Sequence, residues 1–395
     1  ETRIAKELAY ISQAGLARRI TELYFVNPAQ AQDRTGKTYL VLASNNYLGF
    51  THAPEVIEAA SRAALKFGTG SSGSRLTTGG TFIASELEKR LADFKHSESA
   101  LVFNTGYMTN LGVLYGLLQT GDVVFSDELN HASIIDGCRI SRCKVVVYKH
   151  NDMADLQRLL ETEIVTGQRF IVTDGVFSMD GDIADLPSLA VLKKQFNAFL
   201  IVDDAHGVGV IGNDGSGTAS HYGLTDVIDL QVGTLSKALA AEGGYVAGKK
   251  ILIDYLINRS RPFIFSTALA PATLAAANAA LLLLQTQASK YLDSLRANSR
   301  LMRRLLLEGG LNVVEGITPI IPVVIGEAGL TMQFADRLKS KGILVSGIRP
   351  PTVPRGESRL RITVTAAHCE EQLRQAAQII TALWQELKHG EKKEG

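Results

Sequence analysis

A chain of 395 residues with 46% hydrophobic and 21% charged residues can build two or three packed bodies, or one large α/β domain with an appendage, and it excludes wholesale disorder. A formal net charge of +1 gives no electrostatic pull toward nucleic acid or an anionic membrane. Three cysteines (Cys138, Cys143, Cys369) lack metal-site spacing and the eight histidines have no HExxH or CxxC companion, so no metal is expected and the thiols read as reduced, in a cytoplasmic protein.

In chain order, residues 1–44 read as a helix, Ile4 to Glu22, followed by an extended arm. The start carries no apolar secretion core behind a basic segment. From Asn45 onward helical patterns alternate with short β-branched runs. Ile83, Leu87, Leu91 and Phe94 form one apolar stripe, which predicts an amphipathic helix. Seven apolar runs follow: Ala100–Phe103, Val123–Phe125, Lys144–Tyr148, Phe170–Thr173, Phe199–Val202, Leu230–Val232 and Tyr245–Ala247. Helical stretches such as Asn110–Gln119 and Leu186–Phe196 separate most of them. Continuous apolar strands alternating with helices predict an α/β fold, a mostly parallel sheet covered on both faces. In such sheets ligands bind beyond the carboxyl ends of the strands.

The longest apolar stretch, Ala268–Leu284, is broken by Pro271, Thr273 and Asn278, and reads as a buried helix, not a membrane span. A helical pattern then continues to about Leu307. Strands Ile320–Ile325, Ile343–Val345 and Arg359–Thr363 interleave with helices Thr331–Ser340 and Glu370–Leu387. The expected division is an N-terminal helix and arm (1–44), a large domain (45–285) and a smaller C-terminal α/β domain (286–395).

Several strand ends each supply a polar group. The run Leu200–Gly207 ends an apolar strand in Asp203, with His206 three residues on. A carboxylate there can keep a pyridine nitrogen protonated, and the imidazole can donate to a phenolic oxygen. The same residues also fit an ordinary strand-end loop with a solvated acid. In Asp229–Lys237 a strand runs into a Gly-Thr turn and then a lysine. Low polarity around Lys237 would disfavour the ammonium and leave an amine able to form an imine. Thr234 and Ser236 are small hydroxyl donors suited to a phosphate. Asn104-Thr-Gly-Tyr-Met108 opens a helix after a strand, where free N–H groups and Gly106 make an anion site. The Gly-rich segment Gly68–Gly80, which includes Ser74, is neither a Walker A loop nor a dinucleotide fingerprint, and reads as a loop permitting close approach. His131 follows another strand and could stack on a planar ring or simply cap a helix. Asp174 and Ser178 follow yet another. Arg349 sits in a proline-bounded turn, Gly347–Pro354, suited to pairing with a carboxylate.

Together these pieces resemble the α-oxoamine synthase family, which has the fold-type-I architecture of pyridoxal-phosphate (PLP) enzymes. The likeness runs from about Ser44 to His368. It rests most on Ser-Asn-Asn-Tyr-Leu-Gly49, Thr-Asp-Gly-Val-Phe-Ser-Met-Asp-Gly181, Val-Asp-Asp-Ala-His-Gly207 and Thr-Leu-Ser-Lys237. The family condenses a small amino acid with an acyl thioester and loses carbon dioxide. Within it, Gly-Ser-Arg-Leu-Thr-Thr-Gly79, Ile-Arg-Pro-Pro-Thr-Val-Pro354 and Ser-Arg-Leu-Arg-Ile-Thr363 are most similar to the branch that joins L-alanine to a pimeloyl thioester in biotin synthesis.

The resemblance implies roles residue by residue. Lys237 bonds the cofactor and moves the α-proton. Asp203 pairs with the pyridinium nitrogen, His206 and Ser178 face the phenolic oxygen, and His131 stacks on the ring. Asp174 stands where the family carries Asp or Glu. Gly106, Tyr107 and Thr234 lie around the phosphate, and Thr267 reaches it from the other subunit of a homodimer. Asn45, Ser74 and Arg349 belong to the substrate side, with Asn45 and Arg349 on the amino acid carboxylate. Arg18 and Arg19 are candidates for the distal carboxylate of the acyl group. The acyl carrier, coenzyme A or a carrier protein, stays open. So do the glycine- and serine-using branches of the family, an aminotransferase reaction on the same fold, and a non-catalytic scaffold.

Overall fold

The computed structural model describes residues 2–13, 16–18 and 20–394. The large sheet has seven strands: β1 (Ser99–Phe103), β2 (Val123–Asp127), β3 (Lys144–Tyr148), β4 (Arg169–Asp174), β5 (Ala198–Asp203), β6 (Leu230–Thr234) and β7 (Gly244–Gly248). Their spatial order is β1-β7-β6-β5-β4-β2-β3. Neighbours from β6 to β3 run parallel, while β7 is antiparallel to both β6 and β1. Every residue of β2, β6 and β7 is buried, as a sheet with helices on both faces requires. All seven runs expected from the sequence are strands here.

Helix Phe82–Phe94 buries Leu87, Leu91 and Phe94, the stripe read from the sequence. Helix Pro54–Phe67 was not anticipated. It buries only Val56 and Ala63, too few for a visible stripe. The N-terminal helix is shorter than expected, Thr2–Gln13, and buries none of its residues. With no residue buried it gains little from packing, and residues 16–18 and 20–23 are not helical.

A long helix, Pro271–Glu308, leaves the large sheet and enters the C-terminal region, with non-helical backbone at Gln287. Leu292 and Leu295 still pack with the large core, whereas Met302 and Leu306 join the C-terminal core. The C-terminal sheet is antiparallel: Ile320–Gly326, Ser358–Thr363 and Ser346–Ile348. Of the strand expected over Ile343–Val345 only Ile343–Leu344 forms, and an unexpected strand, Ser346–Ile348, follows it in another sheet. Ile343–Leu344 pairs in parallel with Thr38–Val41 of the N-terminal arm, and Ser346–Ile348 turns to the C-terminal sheet. The arm (Tyr24–Asn27, Gln30–Gln32, Thr38–Val41) is therefore tied to the C-terminal region. Among the described residues no helix is long and apolar enough to cross a membrane.

Candidate active site

Because β2, β4, β5 and β6 are parallel, their carboxyl ends share one edge of the sheet. Those ends are Asp127, Asp174, Asp203 and Thr234. Beyond them lies a cavity of about 210 Å³ lined by Gly106, Tyr107, His131, Asp174, Ser178, Asp203, His206, Thr234 and Lys237, with Thr105, Ser133, Ala205 and Ser236. Residues drawn from five separate segments of sequence thus meet in one place.

Asp174 and Asp203 are register partners on adjacent strands. Asp203 is 6% exposed; its Oδ2 accepts from Asn110 Nδ2 at 2.6 Å and its Oδ1 from the Ala205 N–H at 3.0 Å. Burial and then the neighbouring Asp203 charge push the Asp174 carboxyl well above the usual range. Asp174 Oδ2 accepts the backbone N–H of His131 at 2.9 Å, so this acid holds the start of helix Ala132–Ser141. His131 caps that helix, with Nδ1 2.8 Å from Ser133 Oγ. Burial holds the His131 ring below its ordinary pKa, with Asp203 opposing and Lys237 adding to the effect.

Lys237 is also altered in character. Burial lowers its pKa to about 8, against the opposing pull of Asp203 and Asp174, and Arg361 lowers it further. His206 is 8% exposed, and burial, Lys237 and Arg361 keep it well below its usual range, hence neutral. Its Nδ1 lies 2.6 Å from Tyr47 Oη, a fully buried hydroxyl.

The site extends through residues that lie within the quoted motifs but are given no role there. Arg361, 5% exposed, donates from Nε to the Ser178 carbonyl, from Nη1 to Thr363 Oγ1 at 3.0 Å and from Nη2 to Asn45 Oδ1 at 3.2 Å. Arg349 takes a different place. It bonds Met332 Sδ at 3.0 Å and lines a separate cavity with Tyr10, Leu16 and Arg355. Asn45 therefore meets Arg361, not Arg349. Ser74 and Thr267 form an isolated β-bridge outside the Lys237 cavity, and Asn104 Nδ2 donates to the Thr267 carbonyl at 2.7 Å. Arg18 is exposed, and Arg19 lies outside the described residues.

The cavity suits PLP by its own features. At one end helix Gly106–Leu117 begins, where the first N–H groups have no intrahelical acceptor. A Cβ on Gly106 would stand 3.3 Å from Thr234 Oγ1, so glycine keeps this end open for an anion. At the other end are a partly neutral amine at Lys237 and a buried carboxylate at Asp203. Gly106, Tyr107 and Thr234 would hold the phosphate, and Asp203 the ring nitrogen.

Behind the cavity, His150 bridges two carboxylates, Nδ1 to Asp127 Oδ1 at 3.0 Å and Nε2 to Asp182 Oδ2 at 2.9 Å. Burial disfavours its charge, but the bonds to Asp127 and Asp182 outweigh burial and raise its pKa to about 10. The folded value exceeds the unfolded one, so this bridge stabilises fully below the unfolded pKa and is lost as pH rises through about 10. The ring is partly wet, which screens it. Replacing His150 with Gln should cost about 1–2 kcal/mol at neutral pH. Urea unfolding of both proteins across pH should show the difference shrink between about pH 6.5 and 10 and be gone above that; a constant difference would count against the bridge.

A family profile described as aminotransferase class I and II matches residues 37–380. The 8-amino-7-oxononanoate synthase of Lysinibacillus sphaericus is 47% identical over 371 residues, 94% of this chain and 95% of that one. The enzyme of the same name from Geobacter sulfurreducens is 48% identical over 385 residues, 97% and 98% of the two chains. Among solved structures, a serine palmitoyltransferase from S. paucimobilis with bound PLP superposes with a TM-score of 0.92 at 31% identity, covering 98% of this chain and 97% of that one.

Proposed function

The chain belongs to the aminotransferase class I and II family, and on that premise we propose that it is a PLP-dependent acyltransferase that joins L-alanine to a pimeloyl thioester in biotin biosynthesis. The products are 8-amino-7-oxononanoate, carbon dioxide and free thiol. The observation that carries the reading is Lys237, a buried amine held at a pKa of about 8 between the strand-end acids Asp203 and Asp174. Relatives named for this reaction, 47–48% identical over nearly the whole chain, support the choice of substrates.

When bound, PLP supplies an electron sink conjugated to the amino acid's α-carbon. The chain's own residues do the rest. Asp203 holds a proton on the ring nitrogen. His131 packs against the ring and Asp174 fixes His131 through its N–H. Neutral His206, oriented by Tyr47, and Ser178 face the phenolic oxygen. Lys237 takes the α-proton and later returns one to the same carbon, within a site that orients both partners. Asn45 and Arg361 hold the amino acid carboxylate. Thr267 and Ser74 are read as belonging to the neighbouring subunit's site in a homodimer, since both lie outside the Lys237 cavity of their own chain.

The test is to follow thiol release and the cofactor's visible absorbance in purified holoenzyme given L-alanine, pimeloyl-CoA or both. Thiol release that requires both substrates supports the reading. A preference for serine with a long-chain acyl-CoA would move the chain to the chemistry of its structural neighbour. Formation of a keto acid without thiol release would make it an aminotransferase.

The carboxylate assignment has its own consequence. Arg361→Gln should raise KM for alanine by about 30- to 100-fold, because a charge-assisted pair is lost inside a buried site. Arg349→Gln should change that KM by no more than about threefold. Steady-state kinetics of the two variants decide, and the reverse ranking would return the carboxylate to Arg349.

A further inference from the structure

Away from the catalytic cavity, a second pocket of about 320 Å³ lies where the long helix passes between the large and C-terminal sheets. Its floor is the helical stripe Arg296, Arg300 and Arg303, spaced i, i+4 and i+7 and so facing one way. His221, the Gly212–Asn213 turn and Gly316–Ile317 form the other walls. Among the described residues no Asp or Glu lines it.

Three guanidinium groups on one helical face repel one another, and like charges at i, i+4 destabilise a helix. Structural duties account for part of the arrangement. Arg296 Nη2 donates to the Gly212 carbonyl at 2.6 Å, and its Nη1 lies 3.4 Å from exposed Asp293. Arg303 donates to the carbonyls of Val314, Thr318 and Ile320. They do not account for Arg300, whose guanidinium reaches only the Arg296 carbonyl of its own helix, at 3.3 Å. Nor do they account for a cationic wall on a pocket of a size that small ligands fill.

We propose that this pocket binds a small polyanion of the diphosphate type, with Arg296, Arg300 and Arg303 as its donors. Guanidinium groups match phosphate oxygens in pairs, and several on one face select a multiply charged ligand over a single carboxylate. Such a ligand would touch the turn that follows His206 and the segment before Thr318, whose Oγ1 donates to the Gly181 carbonyl at 2.7 Å beside Ser178. The pocket is separate from the Lys237 cavity and does not depend on which amino acid or thioester the enzyme uses.

The shared chemistry could come from free inorganic diphosphate or from a nucleoside diphosphate. The experiment is calorimetric titration of PLP-saturated enzyme with inorganic diphosphate and, separately, with ADP at low ionic strength. One saturable site per chain is expected, weakened about tenfold or more in Arg300→Glu and unchanged in Arg62→Glu, an exposed arginine elsewhere that pairs with Glu58. Arg300 is itself exposed, so the variant should keep its fold; thermal unfolding checks this. Comparable binding of both ligands assigns recognition to the phosphates alone. Tighter binding of ADP assigns a nucleotide. No saturable binding of either, or equal binding by Arg300→Glu, overturns the proposal.

Discussion

Lys237→Ala should lower turnover by on the order of 10⁴-fold or more, while leaving a folded protein that still takes up PLP. A lysine at its ordinary pKa is deprotonated in about one part in three thousand at pH 7, and one at about 8 in roughly one part in ten. Burial produces that gain, and Asp203 and Asp174 keep it from going further. The reading uses the amine twice, to bond the cofactor and to move the proton at the α-carbon. No other lysine lines the cavity among the described residues. Lys237→Arg is the companion variant: it keeps a cation and much of the volume but supplies no base near neutral pH, so it should fail as Ala does. Borohydride treatment followed by peptide mapping should leave the cofactor's mass on the Lys237 peptide of the unmodified enzyme only. Near-normal turnover in Lys237→Ala would end the account of the site.

What could be read beforehand divides along physical lines. The seven strands were legible because a parallel sheet buried on both faces needs continuous apolar runs, and such runs are conspicuous. Lys237, Asp203, His206 and His131 were legible because ionisable residues just past such runs are unusual and cluster at one sheet edge. Arg361 was not. It lies inside a strand, and Arg359 and Arg361 alternate as a solvated strand face would. Both are in fact at most 5% exposed, because the loop carrying Ser178 and Asp180 covers them. A cover supplied by a segment some 180 residues away leaves no mark in local periodicity. Tyr47 and Asn110 were hidden for the same reason: each acts through a partner distant in sequence, His206 and Asp203. Arg349 could not be placed from its motif, because prolines beside an arginine signal rigidity, which says nothing about direction; it lines a different cavity from Lys237.

Asp203→Asn should cost on the order of 10³-fold in kcat/KM with little loss of stability. The change is isosteric. The new side chain can turn its oxygen to the Asn110 amide, leaving its NH₂ against the Ala205 N–H, a mismatch of about 1 kcal/mol. That cost is offset in part, because Asp203 adds like charge beside Asp174. What disappears is the negative charge that would hold a proton on the ring nitrogen. A second consequence separates this role from a packing role. The Asp203 charge raises the pKa of Lys237 and of His131, so removing it should move Lys237 further below about 8. The pH dependence of cofactor uptake by stripped protein should therefore shift to lower pH in Asp203→Asn, and return toward the original position in Asp203→Glu. A large loss of activity with an unmoved pH profile would mean that Asp203 shapes the cavity without setting its electrostatics. An unchanged rate would remove the ring-nitrogen role altogether.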